Sequence, residues 1–171
     1  APMHGGSAGD SDYQVCWSNA TLREWMGGYP KTQFRLIPGN PDLFAQNDEF
    51  LRNLWLPKNA KLLIDQEDEV DGLRIYGTPW VPYINGRWAF EEQFPGQLKE
   101  KFAAIPKGIH ILLSHTPPRI SYEKVDVSID TCSEPFGSPD LTDALLRTHP
   151  QYALCGHIHT GDHNPLVVTN H

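Results

Sequence analysis

Apolar and polar positions fall into short blocks along this chain. Five apolar runs, within "TQFRLIPGN", "AKLLID", "LRIYGTPW", "GIHILLSH" and "YALCG", have the length of buried strands. The third is expected to break at Gly77 and Pro79, because neither residue suits the middle of a ladder. Between these runs, apolar residues recur at helical spacing. "SNATLREWMGG" predicts a helix capped by Ser18 or Asn19 and stopped at Gly27 and Gly28. "AQNDEFLRNLWL" predicts another, with Phe50, Leu51, Leu54 and Trp55 on one side. "GQLKEKFAAI" and "SPDLTDALLRTHP" complete the set, the latter with Ser138 as cap and Pro139 at the first helical position. The opening "APMHGGSAGD" reads as the end of a strand entering a glycine loop, the acidic "DQEDEVD" as a solvated hairpin turn, and "PLVVTN" as a last strand. Helices alternating with short apolar strands predict an α/β layered fold with a largely buried sheet. One domain over residues 1–171 is expected.

Composition narrows the class. Hydrophobic residues make up 39% and charged residues 20%, as in a globular rather than a disordered chain. A formal net charge of −7 disfavours a sequence-independent grip on nucleic acid phosphates. No apolar run approaches the roughly 18 residues of a membrane span, and the first ten residues lack the charged and apolar segments of a secretion signal. A cytoplasmic protein is expected. The three cysteines, Cys16, Cys132 and Cys155, are widely separated and form no metal or disulfide pattern. Cys155, inside "YALCG", is expected to be a small buried hydrophobe.

The chemistry gathers where strands end. Asn40 follows "RLIPG", His115 follows "ILLS", and His157 and His159 follow "YALCG", while the N-terminal glycine loop adds Asp10. In open α/β sheets, sites form beyond the carboxyl ends of strands. Imidazole, carboxylate and amide oxygen together suit a divalent metal of the manganese, iron or zinc type. On an extended segment His157 and His159 would point the same way, toward one ion or two adjacent ones. His4 and His163 read as surface groups or as supports behind the ligands rather than as ligands themselves. Trp80, Trp88 and Phe90 read either as core or as the wall of a nucleobase pocket. Arg87 and Arg119 are candidate phosphate contacts.

The order "GD" at Gly9 and Asp10, "GN" at Gly39 and Asn40, "SH" at Ser114 and His115, and "GHIH" from Gly156 to His159 resembles that of the calcineurin-like metallophosphoesterases. The finer resemblance, in "YGTPWVPYINGRWAF", "LLSHTPP" and "DTCSEPFGSPDLTDALLRTHPQYALCGHIH", is to their MPPED-like branch of class III phosphodiesterases. The resemblance implies an αββα sandwich and metal-dependent hydrolysis of phosphodiesters such as cyclic nucleotides. It implies metal ligands at Asp10, Asn40, His115, His157 and His159, with catalytic roles for Asn40 and His115. The expected cofactor is Mn²⁺, with Fe or Zn²⁺ as alternatives, and the expected partner is a small nucleotide-like phosphoester rather than a membrane. Three features depart from the pattern. No Asp-x-His occurs in the chain, so a domain without its first strand and shortened at both ends is expected. Pro41 stands where the family's "GNHD" has a histidine. "HGGS" also matches the second motif, and would put Ser7 rather than Asp10 at the bridging position. The remaining ligands predict one tightly held ion and a weak second site. The alternative is a catalytically degenerate domain that binds a metal or nucleotide without turnover.

Overall fold

In the computed structural model the described residues are 8–119 and 137–159, with residues 8–10 described as backbone alone. His4, Ser7, His163 and the "PLVVTN" segment lie outside them. The first described element is a helix, α1 (Ala8–Trp17), which takes in Gly9 and Asp10 and runs through a π-helical turn (Ser18–Leu22) into α2 (Arg23–Gly27), while the rest of the expected strand end and glycine loop lies outside the described residues. Neither Ser18 nor Asn19 is a cap. Trp17 and Leu22 on either side are already helical, and a cap needs non-helical backbone. Asn19 instead ties a loop to the helix, with its amide donating to Asn53 O at 2.7 Å and its oxygen accepting from Trp55 N at 2.6 Å.

Two sheets follow. The smaller pairs β1 (Phe34–Leu36) with β2 (Ala60–Leu62) in parallel. Between them the predicted second helix is split into a 3₁₀ turn (Leu43–Gln46) and the short α3 (Asp48–Arg52), because Asn47 interrupts it as a cap, accepting from Glu49 N at 2.9 Å. Phe50, Leu51 and Leu54 pack against the core as expected, whereas Trp55 is 64% exposed.

The larger sheet has the order β3 (Gln66–Val70), β4 (Leu73–Thr78), β5 (Ile111–Ser114), β6 (Tyr152–Cys155). The acidic segment is therefore a strand rather than a turn. Its charges are tolerated because they are paired: Asp68 meets Arg35 and, at 2.7 Å, Lys61, while Glu67 meets Arg74. Only Asp71 and Gly72, both at positive φ, make the turn. Gly77 does not break β4. The strand runs through it and stops at Thr78, ahead of Pro79.

The sheets face one another. Arg35 of β1 and Lys61 of β2 reach Asp68 of β3, and a Cβ on Gly77 would lie 2.5 Å from Leu63 Cβ and 2.8 Å from Ile37 Cγ2. Helices cover the outer faces. Trp25 of α2 packs on Phe34 of β1 with ring centres 5.3 Å apart. On the other side α4 (Gln97–Ala103) and α5 (Pro139–Thr148) pack together, α5 capped by Ser138 with Pro139 leading as expected. Phe102, Leu98, Leu112, Tyr76, Leu141 and Ala144 belong to the core beneath them. Arg147 fastens the two helices by donating to Phe102 O at 2.9 Å and Ile105 O at 3.0 Å. Helix, sheet, sheet and helix make the expected αββα order.

One expectation fails at the edge. All four residues of β6 are exposed, Cys155 among them, because β6 closes the sheet and no described element pairs with its outer side. Among the described residues no helix is long and apolar enough to cross a membrane.

Candidate metal centre

The rim of the larger sheet is set by register. β4, β5 and β6 run parallel, with Thr78 opposite Ser114 and Ser114 opposite Cys155, so the residues after each strand emerge side by side. Two further backbone bonds carry the ladder outward: His115 N donates to Thr78 O at 3.1 Å, and Gly156 N to His115 O at 3.2 Å. His115 is thus fixed by its backbone before its ring makes any contact.

Asn40 meets it from the smaller sheet. His115 Nε2 lies 2.8 Å from Asn40 Oδ1, and His157 Nδ1 lies 3.2 Å from the same oxygen. The two rings stand edge to face, with centres 5.0 Å apart. An amide oxygen only accepts, so in this geometry each imidazole donates its N–H to Asn40. Gly39 makes the approach possible, since a Cβ there would sit 2.7 Å from His115 Cε1. Its N–H donates to Asp42 Oδ2 at 2.7 Å, closing the "GNPD" turn.

His157 is not on an extended segment. Its φ is +71, and Ile158 N donates to Gly156 O at 2.9 Å across it. That γ-turn is strained for a residue with a Cβ. It turns the His157 ring toward Asn40 and leaves His159 exposed. The extended segment expected here is therefore a turn centred on His157. His159 is still near enough for its charge to bear on both other rings.

The remaining expected residues are placed as follows. Asp10 stands third in α1, within a helix rather than a loop, and its side chain lies outside the described residues. Trp80 and Phe90 are core, packed edge to face at 5.8 Å, with Trp80 Nε1 donating to Asp65 Oδ2 at 2.7 Å. Two residues that the spacing did not single out hold Asn40 and its neighbour. Ala89 N donates to Asn40 O at 2.9 Å, and buried Gln14 donates through Nε2 to Pro41 O at 2.8 Å. The Gln14 Oε1 is buried and has no hydrogen-bond partner among the described residues. Nothing in the local sequence of α1 marks Gln14, because its role depends on a contact 27 residues away.

The donor chemistry suits one divalent ion. Asn40 Oδ1, His115 Nε2 and His157 Nδ1, which meet at 2.8 and 3.2 Å, are the groups that would hold it. Both imidazoles are held neutral, the form that ligates. Burial, with smaller pushes from the His157 and His159 charges, lowers His115 to about 4 against the opposing Asp42 carboxylate. Burial and then His159 lower His157 as well. Among the described residues, however, no group of three or more His, Cys, Asp or Glu side chains is arranged around an ion. The described set is two imidazoles and an amide, without a carboxylate.

A consequence for stability can be checked on protein kept in chelator. The folded His115 resists a proton that the unfolded chain accepts near pH 6.5, so its contribution is complete above that pH and is lost as pH falls through about 4. Full linkage would be worth roughly 3 kcal/mol, and about half of that is expected for a ring that is only partly buried. The urea midpoint should therefore fall less steeply over this range in His115→Gln than in the parent. Equal slopes would show that His115 protonates freely in the folded state.

In sequence and in fold the chain is similar to known proteins. The calcineurin-like phosphoesterase family model matches residues 4–161. A Caenorhabditis elegans UPF0046 protein is 36% identical over 107 residues, covering 62% of this chain and 26% of that protein. The human metallophosphoesterase domain-containing protein 1 is 33% identical over 140 residues, covering 81% of this chain and 41% of that protein. A solved crystal structure aligns with a TM-score of 0.57 at 18% identity, over 96% of this chain and 66% of that one, a likeness of fold. The chain spans about a quarter to two-fifths of the length of these curated relatives. With the family match running through the glycine turn, the two strand-end histidine motifs and the sheets that carry them, the chain belongs to the calcineurin-like phosphoesterase family, in the branch of the metallophosphoesterase domain-containing and UPF0046 proteins.

Proposed function

We propose that this chain is a metal-dependent phosphoesterase domain acting on phosphodiesters such as cyclic nucleotides. One ion, most simply Mn²⁺, is held by Asn40, His115 and His157. A second, weaker position draws on His159 and on Asp10. The observation that carries this reading is the convergence of His115 Nε2 and His157 Nδ1 on Asn40 Oδ1 at the sheet rim. When bound, a divalent ion supplies Lewis acidity toward a phosphoryl oxygen and a more acidic water. The chain's own part is positional. His115 and Asn40 present lone pairs on a rigid rim, and the imidazoles can shift their protons to the far nitrogens when those lone pairs are used. Gly39 leaves room for this beside the backbone.

A second reading, a binding domain without turnover, is favoured by Pro41 and by the lack of a carboxylate among the described donors. Pro41 offers neither an acidic proton nor a backbone N–H.

Metal stoichiometry separates these readings from a domain without metal chemistry. Protein purified without chelator, equilibrated with Mn²⁺ and desalted is expected to retain close to one ion per chain by plasma mass spectrometry. A value near two would show that the second site is complete. None would remove the metal reading altogether.

A further inference from the structure

We propose that Glu91 is a positioning residue for this centre, acting on Asn40 through the loop that its carboxylate organises. Glu91 is fully buried, yet among the described residues no lysine or arginine pairs with it. Its partners are backbone N–H groups. Oε2 accepts from Ile84, Asn85 and Gly86 at 3.4, 3.3 and 2.5 Å, and Oε1 accepts from Trp88 at 3.2 Å. The loop thus forms an anion-binding concavity that the chain fills with its own carboxylate.

The geometry then leads to the metal centre in two steps. Glu91 pins residues 84–88, and Val81 pins the returning strand, donating to Phe90 O and accepting from Glu92 N, both at 3.0 Å. Between these anchors lies Ala89, whose N–H holds Asn40 O at 2.9 Å. Phe90 sits at φ +57, a conformation an aromatic residue keeps only when its surroundings impose it. The same loop closure therefore fixes the peptide whose side chain joins His115 to His157.

A carboxylate is required here because its two oxygens can serve four N–H donors, whereas a glutamine presents one oxygen and turns an NH₂ toward the remaining N–H. A glutamate placed only for loop folding would affect melting temperature and the loop amides, and nothing at the histidines.

The inference rests on the proposed metal centre for its importance, and its first test needs no metal. In chelator, Glu91→Gln is expected to shift or broaden the imidazole NMR signals of His115 and His157. Gly86→Pro, on the exposed part of the loop, removes the shortest donor and cannot keep φ +74, so it should move the same signals without threatening the core. Mn²⁺ affinity should fall at least about tenfold in Glu91→Gln, the usual cost of losing a group that orients a ligand. Unchanged imidazole signals in Gly86→Pro, with shifted loop amides, would overturn the positioning role. Wild-type protein that binds no Mn²⁺ would instead overturn the metal reading and leave the imidazole comparison to decide Glu91.

Discussion

Replacing Pro41 with histidine is expected to raise Mn²⁺-dependent hydrolysis of bis(4-nitrophenyl) phosphate at least about tenfold. A well-placed general acid or base is typically worth 10²–10⁴-fold, and the lower figure allows for the weakness of the second metal position proposed above. The residue follows Asn40 directly, on a turn closed by Asp42 and held through its carbonyl, which accepts from Gln14 Nε2 at 2.8 Å and Leu43 N at 3.0 Å. Histidine keeps that carbonyl. The side chain at this position is only partly buried, so the ring enters the rim without displacing core atoms. The cost is a more flexible unfolded chain, about 0.4–1 kcal/mol of stability. Pro41→Gln is the control, similar in length and without an acidic proton. A gain in histidine and not in glutamine would establish a weakened enzyme. No gain in either, with metal stoichiometry intact, would favour the binding domain.

Gly77→Ala should damage the fold severely for so small a change, lowering stability by about 3 kcal/mol and the melting temperature by roughly 6–12 °C. The added Cβ would stand 2.5 Å from Leu63 Cβ and 2.8 Å from Ile37 Cγ2. Leu63 is fully buried, and its Cβ cannot swing away as the end of a flexible side chain would. The two sheets must separate, or β4 must move, and the next residue of β4, Thr78, holds His115 through its carbonyl. Thermal and urea unfolding measure the loss directly. A change below about 1 kcal/mol would mean that the sheets slide apart easily, and that the sandwich is looser than its packing implies.

Gly77 also shows why sequence reasoning went astray in places. A glycine and a proline two residues apart suggested a broken strand, but the glycine serves the facing sheet, 14 residues back at Leu63 and further back still at Ile37. The acidic segment 65–71 looked solvated because its partners Arg35 and Arg74 belong to other strands. Trp55 fits a helical stripe by spacing, but α3 ends at Arg52 and leaves Trp55 in the loop beyond it. In the first two cases a local pattern is overridden by a neighbour distant in sequence. Ser138 and Pro139 were legible because a cap needs only its own next three residues.

The site divides along the same line. Sequence alone determined the strand-end ligand types, the order of the motifs, and the substitution of proline at position 41. Periodicity, turn chemistry and residue identity are local quantities, and they are written directly in the chain. Only the tertiary structure decided which atoms meet. Asn40 and His115 are 75 residues apart, and Asn40 and His157 are 117 apart, so their contact depends on the register of three parallel strands and the packing of two sheets. The positive φ that turns His157 toward Asn40 and leaves His159 exposed was not predictable from a histidine pair. Nor were the holds of Gln14 and Ala89 on the Asn40–Pro41 turn, because hydrogen bonds between a helix, a loop and a turn arise only when packing has placed all three.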